Sequence, residues 1–345
     1  MKDSSQISLS EASGGMMDTS SHSHLVLSVY IVTFITGLPS NLLAFYTFFT
    51  RVRQKQTPVD ILLLNLTISD LVLIMFLPFK MREAAAGMIW DMPIFLCPIT
   101  GFFYYSSIYI STLFLTAVSV ERYLGVAFPI KYKLNRKPMY AVIASILFWF
   151  LACANCSVVY IIQYALPNND KQFNQSTCYD NFTKEQLKIL LPVRLELGLL
   201  LFFIPFIITL YSYINFIKIL MKLPNIQRKR KQRAIGLALA TLINVCICFA
   251  PYNISHIVGF IKNESPTWRV NALLFSTFNA SLDPVVFYFS STAFQKMFFD
   301  CLRGTLRKIQ VFFLCHKDFS PDCEIHYNEN NTEKSSSDVL NAKES

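Results

Sequence analysis

The sequence predicts an all-α membrane protein, a bundle of seven transmembrane helices followed by a short amphipathic helix. Seven apolar stretches occur along the 345-residue chain, and each has the roughly 20 residues that a helix needs to cross a bilayer. The composition agrees, since 53% of the residues are hydrophobic and 15% are charged, whereas a soluble domain carries about 25% charged residues. Basic residues also concentrate on alternate loops.

The membrane domain follows a polar, serine-rich stretch, residues 1–24, which is predicted to be an extracellular N-terminus. The predicted spans are residues 25–50, 59–81, 94–120, 139–164, 187–221, 234–261 and 269–291, and residues 25–291 form one domain. Neighbouring helices in a bundle can satisfy the backbone groups that a proline frees. Helix is therefore compatible with the prolines inside these spans, which are Pro39, Pro78, Pro205, Pro251 and Pro284.

The loops after the first, third and fifth spans are basic, and the other loops mix acidic and basic residues. Because basic loops stay on the cytosolic side, the N-terminus is predicted to lie outside and the C-terminus inside. The net charge of +9 is then mostly a consequence of topology. Binding to nucleic acid is not expected, because the basic run at 228–231 lies on a short membrane loop without aromatic residues.

Residues 292–314 alternate aromatic and basic residues, which is typical of an amphipathic helix on the inner leaflet. Cys301 and Cys315 are candidates for palmitoylation there, with unmodified thiols as the alternative. Residues 315–345 are predicted to be a disordered cytosolic tail.

The predicted outer loops carry two kinds of modification signal. Cys97 and Cys178 face an oxidising compartment, and a disulfide between them would hold a loop across the mouth of the bundle. The candidate glycosylation sites on these loops are Asn174, Asn181 and Asn263.

Three basic residues lie near the predicted outer ends of different spans, and they indicate a pocket for a small anion. Arg194, His256 and Arg269 are costly at membrane depth unless each faces a partner or a wet cavity. Each also has a simpler explanation. Arg269 could extend to the interface, His256 could be a packed histidine, and Glu83 or Asp180 could balance the arginines.

Each predicted span carries one short motif, and the motifs follow a fixed order along almost the whole chain. They are Gly37-Leu-Pro-Ser-Asn41, Asn65-Leu-Thr-Ile-Ser-Asp70, Glu121-Arg122-Tyr123, Trp149, Pro205, Cys248-Phe-Ala-Pro251 and Asp283-Pro-Val-Val-Phe-Tyr288. Taken in this order, the motifs resemble those of the rhodopsin-like (class A) G-protein-coupled receptors.

The resemblance implies a sodium site at Asp70, Ser111 and Asn279, whose oxygen atoms suit a hard cation. A satisfied structural carboxylate is the alternative for Asp70. Two positions depart from the class, since Phe249 replaces the usual tryptophan and Asp283 the usual asparagine.

The resemblance also implies a coupling site for a heterotrimeric G protein. Glu121 would hold the charge of Arg122 at rest, Arg122 would contact the G protein on activation, and Ile130 would insert into it. The G protein is expected to be of the inhibitory type, with the phospholipase-coupled type as a further option, and arrestin is a candidate partner.

Five longer stretches narrow the resemblance within this class, and they are residues 79–84, 121–129, 191–196, 251–256 and 265–269. In these stretches the chain most resembles the free fatty acid receptors, and in particular the short-chain pair. The family pattern assigns the ligand carboxylate to Arg194 and Arg269. Guanidinium groups offer paired donors in the geometry that a carboxylate accepts.

Further ligand contacts are expected from His256 and from the tyrosines Tyr105, Tyr109 and Tyr252. A short-chain acid has about four to six heavy atoms, which limits affinity to a dissociation constant of about 0.1–1 mM. Asn155 departs from the histidine of the short-chain pair and cannot carry charge, so ligand preference is open at this position.

The function predicted from the sequence is a plasma-membrane receptor that couples short-chain carboxylate binding (acetate, propionate, butyrate) to G-protein signalling, without a cofactor. A receptor for another small anion is the alternative. An anion transporter or channel is a more distant one, because no internal repeat is evident. No catalytic motif is found, so the chain is not predicted to be an enzyme.

Overall fold

The computed structural model describes residues 3–135, 137–165, 178, 182–223 and 227–317. The chain divides into two compact units, residues 1–294 and residues 295–345. Asn174, Asn181, Asp180 and the tail beyond residue 317 lie outside the described residues.

The regular secondary structure of the described residues is helical. In order the helices are α1 (Asp3–Gln54), α2 (Pro58–Ala85), α3 (Leu96–Ala127), α4 (Pro129–Asn135), α5 (Pro138–Ala165), α6 (Lys184–Gly198), α7 (Ile204–Lys222), α8 (Arg228–Asn244), α9 (Ala250–Lys262), α10 (Arg269–Thr277), α11 (Asn279–Ser290) and α12 (Thr292–Lys317).

Within the described residues, seven helical segments are long and apolar enough to cross a membrane, as the sequence predicts. They are His22–Gln54, Pro58–Ala85, Leu96–Ala127, Pro138–Ile162, Lys184–Lys222, Arg228–Lys262 and Arg269–Ser290. The apolar window of α3 is 78% buried and that of α5 is 17% buried. Helix α3 therefore lies at the centre of the bundle, and α5 at its periphery presents apolar side chains to lipid.

Two of the spans contain a π-helical turn that ends two residues before a proline. Leu199–Phe203 joins α6 to α7 before Pro205, and Val245–Phe249 joins α8 to α9 before Pro251. A proline lacks the N–H and crowds the preceding turn, so a wider turn relieves the helix. The Ser276 hydroxyl donates to the Cys248 carbonyl in the second of these turns at 2.8 Å.

The break between α10 and α11 shows how the bundle tolerates Pro284. Proline at this position leaves the carbonyl of Ala280 without its helical donor. Asn41 of α1 supplies a replacement, since its side-chain Nδ2 donates to that carbonyl at 2.7 Å. The Gly37-to-Asn41 motif thus connects the first span to the seventh.

A disulfide joins Cys97 at the start of α3 to Cys178, as the sequence predicts. Cys178 packs with Trp90 and Tyr160 in a small cluster separate from the main core. We call the end of the bundle that carries this disulfide the predicted outer end, and the opposite end the predicted cytosolic end. The exposed loop before α3 also carries Asp91, whose pKa is lowered by hydrogen bonds from Arg82.

Candidate functional site

A cavity opens between the helices near the predicted outer end and encloses about 430 Å³ of space, part of it open to the surroundings. The lining residues come from α3, α5, α6, α9 and α10 and from the segment before α6. They are Tyr105, Tyr109, Cys156, Val159, Tyr160, Phe182, Arg194, Leu197, Tyr252, His256 and Arg269.

Both arginines of the expected clamp line this cavity and are buried, with 6% of Arg194 and 5% of Arg269 exposed. Arg194 Nη1 donates to the Ser265 hydroxyl at 3.3 Å, and its guanidinium lies 5.0 Å from the centre of the Phe182 ring. The two guanidinium groups are close enough to repel each other. A bound anion would offset both the repulsion and the cost of burial.

No carboxylate within the described part of the chain forms an ion pair with Arg194. Glu83, one candidate for that role, accepts from Lys80 Nζ at 2.8 Å. Asp180 lies outside the described residues. Arg194 is therefore contacted by Ser265 and Phe182. Glu83 pairs with Lys80 instead of with Arg194.

His256 lies beside the arginines with only 2% of its surface exposed. Its Nε2 and the Tyr109 hydroxyl are 3.2 Å apart, and the Tyr252 ring packs edge-on at 4.5 Å between ring centres. Tyr105 stacks on Tyr252 at 6.1 Å. Among the described residues His256 Nδ1 is buried and has no hydrogen-bond partner.

The wall contributed by α5 is formed by Cys156, Val159 and Tyr160. Asn155 is half-buried and donates through Nδ2 to the Leu151 carbonyl of its own helix at 2.8 Å. It is not among the lining residues. The position at which the chain departs from the short-chain pattern therefore lies beside the cavity wall.

The expected sodium-site residues meet in the core. Asp70, Ser111 and Asn279 are each 0% exposed, and Ser111 Oγ donates to Asp70 Oδ1 at 3.4 Å. Asp283 joins them, because its carboxyl group interacts directly with that of Asp70 and accepts from Asn244 Nδ2 at 2.6 Å. Buried oxygens without a hydrogen-bond partner in the described chain remain on Asp70, Asn279 and Asp283.

These atoms fit a sodium ion, since a hard cation binds several carboxylate and amide oxygens. Two adjacent carboxylates in a dry core also repel each other unless a proton or cation lies between them. The structure therefore adds Asp283 to the set that the sequence predicts.

At the predicted cytosolic end, Arg122 Nη2 donates to the Ser290 carbonyl at 3.0 Å and to its hydroxyl at 2.5 Å. The carboxylate of Glu121 accepts from the Tyr132 hydroxyl at 2.5 Å. Ile130, in the short helix α4, is 75% exposed. The three expected coupling residues therefore lie at one end of the bundle, with Ile130 free for contact.

Among the other predicted sites, Asn263 ends α9 in an exposed left-handed turn, where its side chain is accessible. The Cys301 side chain is exposed, and Cys315 lies in α12.

Several site residues were missed by the sequence reasoning. Phe182 and Ser265 lie in segments between helices and carry no periodic signal, so only the tertiary structure brings them to Arg194. Cys156 packs in the core, and it also lines the cavity. Of these missed residues, only Asp283 carries a signal in the sequence, because an acidic residue inside a membrane span is itself a candidate for a functional role.

Comparison with known proteins agrees with these observations. The family model for the 7 transmembrane receptor (rhodopsin family) matches residues 40–287. The chain is 52% identical to free fatty acid receptor 2 of Mus musculus over 281 residues, which cover 80% of this chain and 84% of the relative. It is 49% identical to free fatty acid receptor 3 of Homo sapiens over 278 residues, which cover 81% and 80%.

Proposed function

Because the chain belongs to the rhodopsin family of seven-transmembrane receptors, and within it to the free fatty acid receptors, we propose that its outer cavity binds short-chain carboxylates. The protein is a multi-pass receptor of the plasma membrane and not an enzyme. The observation that carries the ligand assignment is the pair of buried guanidinium groups of Arg194 and Arg269 in one small cavity.

The carboxylate accepts charge-assisted hydrogen bonds from the two arginines, which supply donors in the right planar geometry. His256 contributes a further contact, and the hydroxyls of Tyr105, Tyr109 and Tyr252 complete the polar side. The short acyl chain lies against the apolar wall that includes Val159 and Leu197. The limited volume favours acids of two to four carbons over long-chain acids.

The N-terminus lies outside the cell and the C-terminus inside, as the distribution of basic loops indicates. Ligand binding at the outer end then drives nucleotide exchange on a heterotrimeric G protein at the other end. Arg122, Glu121 and Ile130 form the coupling site. An inhibitory G protein is the expected partner, with the phospholipase-coupled type as a second one, and arrestin binds the activated receptor.

A sodium ion binds in the core between Asp70, Ser111 and Asn279, and Asp283 supplies a second carboxylate. Sodium neutralises the two adjacent carboxylates and so stabilises the arrangement of α2, α3 and α11. The support is the set of buried oxygens described above that lack hydrogen-bond partners.

The carboxylate assignment is tested with Arg194→Ala and Arg269→Ala. Each variant loses charge-assisted bonds of about 1.5–3 kcal/mol apiece, so potency is expected to fall roughly 100-fold or more. The measurement is nucleotide exchange against a concentration series from acetate to long-chain acids, normalised to receptor at the cell surface.

Arg82→Ala is the matched control, because Arg82 is an exposed arginine at the same end of the bundle and pairs with Asp91. It should leave potency unchanged. Wild-type responses in both clamp variants would rule out the carboxylate assignment. Responses to hydroxy acids but not to simple acids would indicate a receptor for a different small anion.

A further inference from the structure

A second cavity opens at the predicted cytosolic end of the bundle and encloses about 1000 Å³ of space, part of it open to the surroundings. Helices α1, α2, α3, α7, α8 and α11 contribute to it, together with the residues that start α12. Its charged residues are Arg51, Asp60, Arg122, Arg230 and Arg233. Cations are therefore in excess, since four arginines face one carboxylate among the described lining residues.

That carboxylate, which belongs to Asp60, already has two partners. Arg51 Nε lies 3.0 Å from Asp60 Oδ1, and the Thr57 hydroxyl donates to Asp60 Oδ2 at 2.6 Å. Arg122 is held against Ser290. Arg51 is neutralised by this acid, whereas Arg230 and Arg233 form no ion pair within the described chain.

Arg230 and Arg233 are the residues most available to a ligand. Arg230 is exposed, and Arg233 makes one long contact, from Nη2 to the Phe289 carbonyl at 3.4 Å. Both lie in the first turns of α8, where the positive end of the helix dipole adds to their charge. Helix α2 also begins at this cavity, with Thr57 as its N-cap.

Uncharged donors are present on the same surface. Four residues that carry hydroxyl groups line the cavity, namely Thr57, Ser290, Ser291 and Thr292. A group that combines high negative charge with many acceptor oxygens is the chemistry that arginines, hydroxyls and helix N-termini bind together. Phosphoryl groups have these properties at neutral pH.

We propose that this cytosolic cavity is a binding site for a small phosphorylated anion, held chiefly by Arg230 and Arg233 together with Arg122. The ligand is either a soluble polyphosphorylated metabolite or the phosphorylated headgroup of an inner-leaflet lipid. Because Arg122 belongs to both sites, the anion and the G protein exclude each other. The fraction of cavities that hold the anion thereby determines the fraction of receptors that can bind a G protein.

Binding is tested on the purified full-length receptor in nanodiscs of phosphatidylcholine, with inositol hexakisphosphate as the soluble probe. Wild-type receptor should bind it saturably, and a nucleotide-free G protein should displace it. Arg230→Gln should weaken binding roughly tenfold, as expected for loss of one charge-assisted contact. Addition of Arg233→Gln should weaken it further.

Arg228→Gln is the control, because Arg228 is an exposed arginine in the same turn that does not line the cavity. Equal weakening by Arg228→Gln would mean that the probe senses only the basic surface, and the proposal would be overturned. The proposal would also be overturned if wild-type receptor showed no saturable binding of inositol hexakisphosphate and no effect of phosphatidylinositol bisphosphate. Arg230 has an exposed side chain, so the single variant is expected to fold even if the double variant does not.

A second arm identifies the source of the anion. Nanodiscs that contain phosphatidylinositol bisphosphate should block binding of the soluble probe if the lipid headgroup enters the cavity. If they do not block it, the ligand is a soluble metabolite. Neither arm requires a fatty acid, so the outcome is independent of the carboxylate assignment at the other end.

Discussion

Arg194 is supported on two sides, by the Ser265 hydroxyl and by the face of the Phe182 ring. A long side chain has considerable rotamer freedom, and ordering it costs free energy. A ring beneath the guanidinium provides part of that order before the ligand arrives. Under the proposed carboxylate assignment, Phe182 is a positioning residue for Arg194, although it offers no polar group to a carboxylate.

We expect Phe182→Leu to lower potency roughly threefold to tenfold, since a partly buried cation–π contact contributes about 0.5–2 kcal/mol. Phe182→Trp should keep most of the potency, because it restores a ring face. The measurement is ligand-driven nucleotide exchange at matched surface expression. Phe95→Leu serves as control, because Phe95 is exposed at the same end of the bundle.

Equal potency of the leucine variant and the wild type would show that the ring does not orient Arg194. The comparison of leucine with tryptophan separates the ring's electrostatic role from simple packing, since leucine is also apolar.

At the level of whole helices, α8 and α11 approach closely at Gly236. A Cβ atom at this position would lie 2.5 Å from Phe289 Cε1, a distance at which one of the two must move. Glycine is therefore required for the observed packing. The Arg233 contact with the Phe289 carbonyl lies one turn away and depends on the same approach.

Gly236→Ala should force the cytosolic ends of α8 and α11 apart and widen the cavity between them. We expect basal nucleotide exchange to rise about fivefold, which corresponds to a population shift of about 1 kcal/mol. Thermal stability should fall by about 1–3 kcal/mol, as for other overpacked sites.

Gly304→Ala is the control, since a Cβ there meets nothing within 4 Å. Unchanged basal exchange in the Gly236→Ala receptor, with expression intact, would mean that Phe289 moves aside and that the helices keep their separation.

For the molecule as a whole, the carboxylates in the core predict a dependence on sodium. Sodium at tenfold excess over its dissociation constant should stabilise the receptor by about 1.4 kcal/mol. The effect should vanish in Asp70→Asn and weaken in Asp283→Asn. Thermal unfolding is measured in sodium chloride and in N-methylglucamine chloride at equal ionic strength.

Asp91→Asn should retain the full sodium effect, because Asp91 lies on the exposed loop before α3. A sodium effect that survives in Asp70→Asn would place the ion elsewhere and contradict the proposal.

The sequence predicts the spans well because a bilayer imposes one length on every crossing helix, so each apolar stretch carries its own evidence. It predicts Arg194, His256 and Arg269 because a cation at membrane depth is conspicuous. The contacts around them depend on which side chains meet in three dimensions. Neither Phe182 beside Arg194 nor Ser290 beside Arg122 is indicated by any local pattern.

The same limit applies to helix irregularities. Proline positions indicate where a helix is disturbed, and π-helical turns are found before Pro205 and Pro251. Pro284 is accommodated differently, by a donor from α1. How a helix tolerates its proline depends on the neighbouring helix. The sequence of one segment therefore does not predict it.

The two guanidinium groups of the outer cavity have a consequence for selectivity. Extracellular fluid holds chloride in large excess over any fermentation acid, and chloride is small enough to enter the same cavity. Under the proposed assignment, the potency of an acid therefore reflects its preference over chloride at the two arginines. That preference comes from shape. The two oxygens of a flat carboxylate can accept hydrogen bonds from both guanidinium groups at once, whereas a spherical ion has no preferred directions for such bonds.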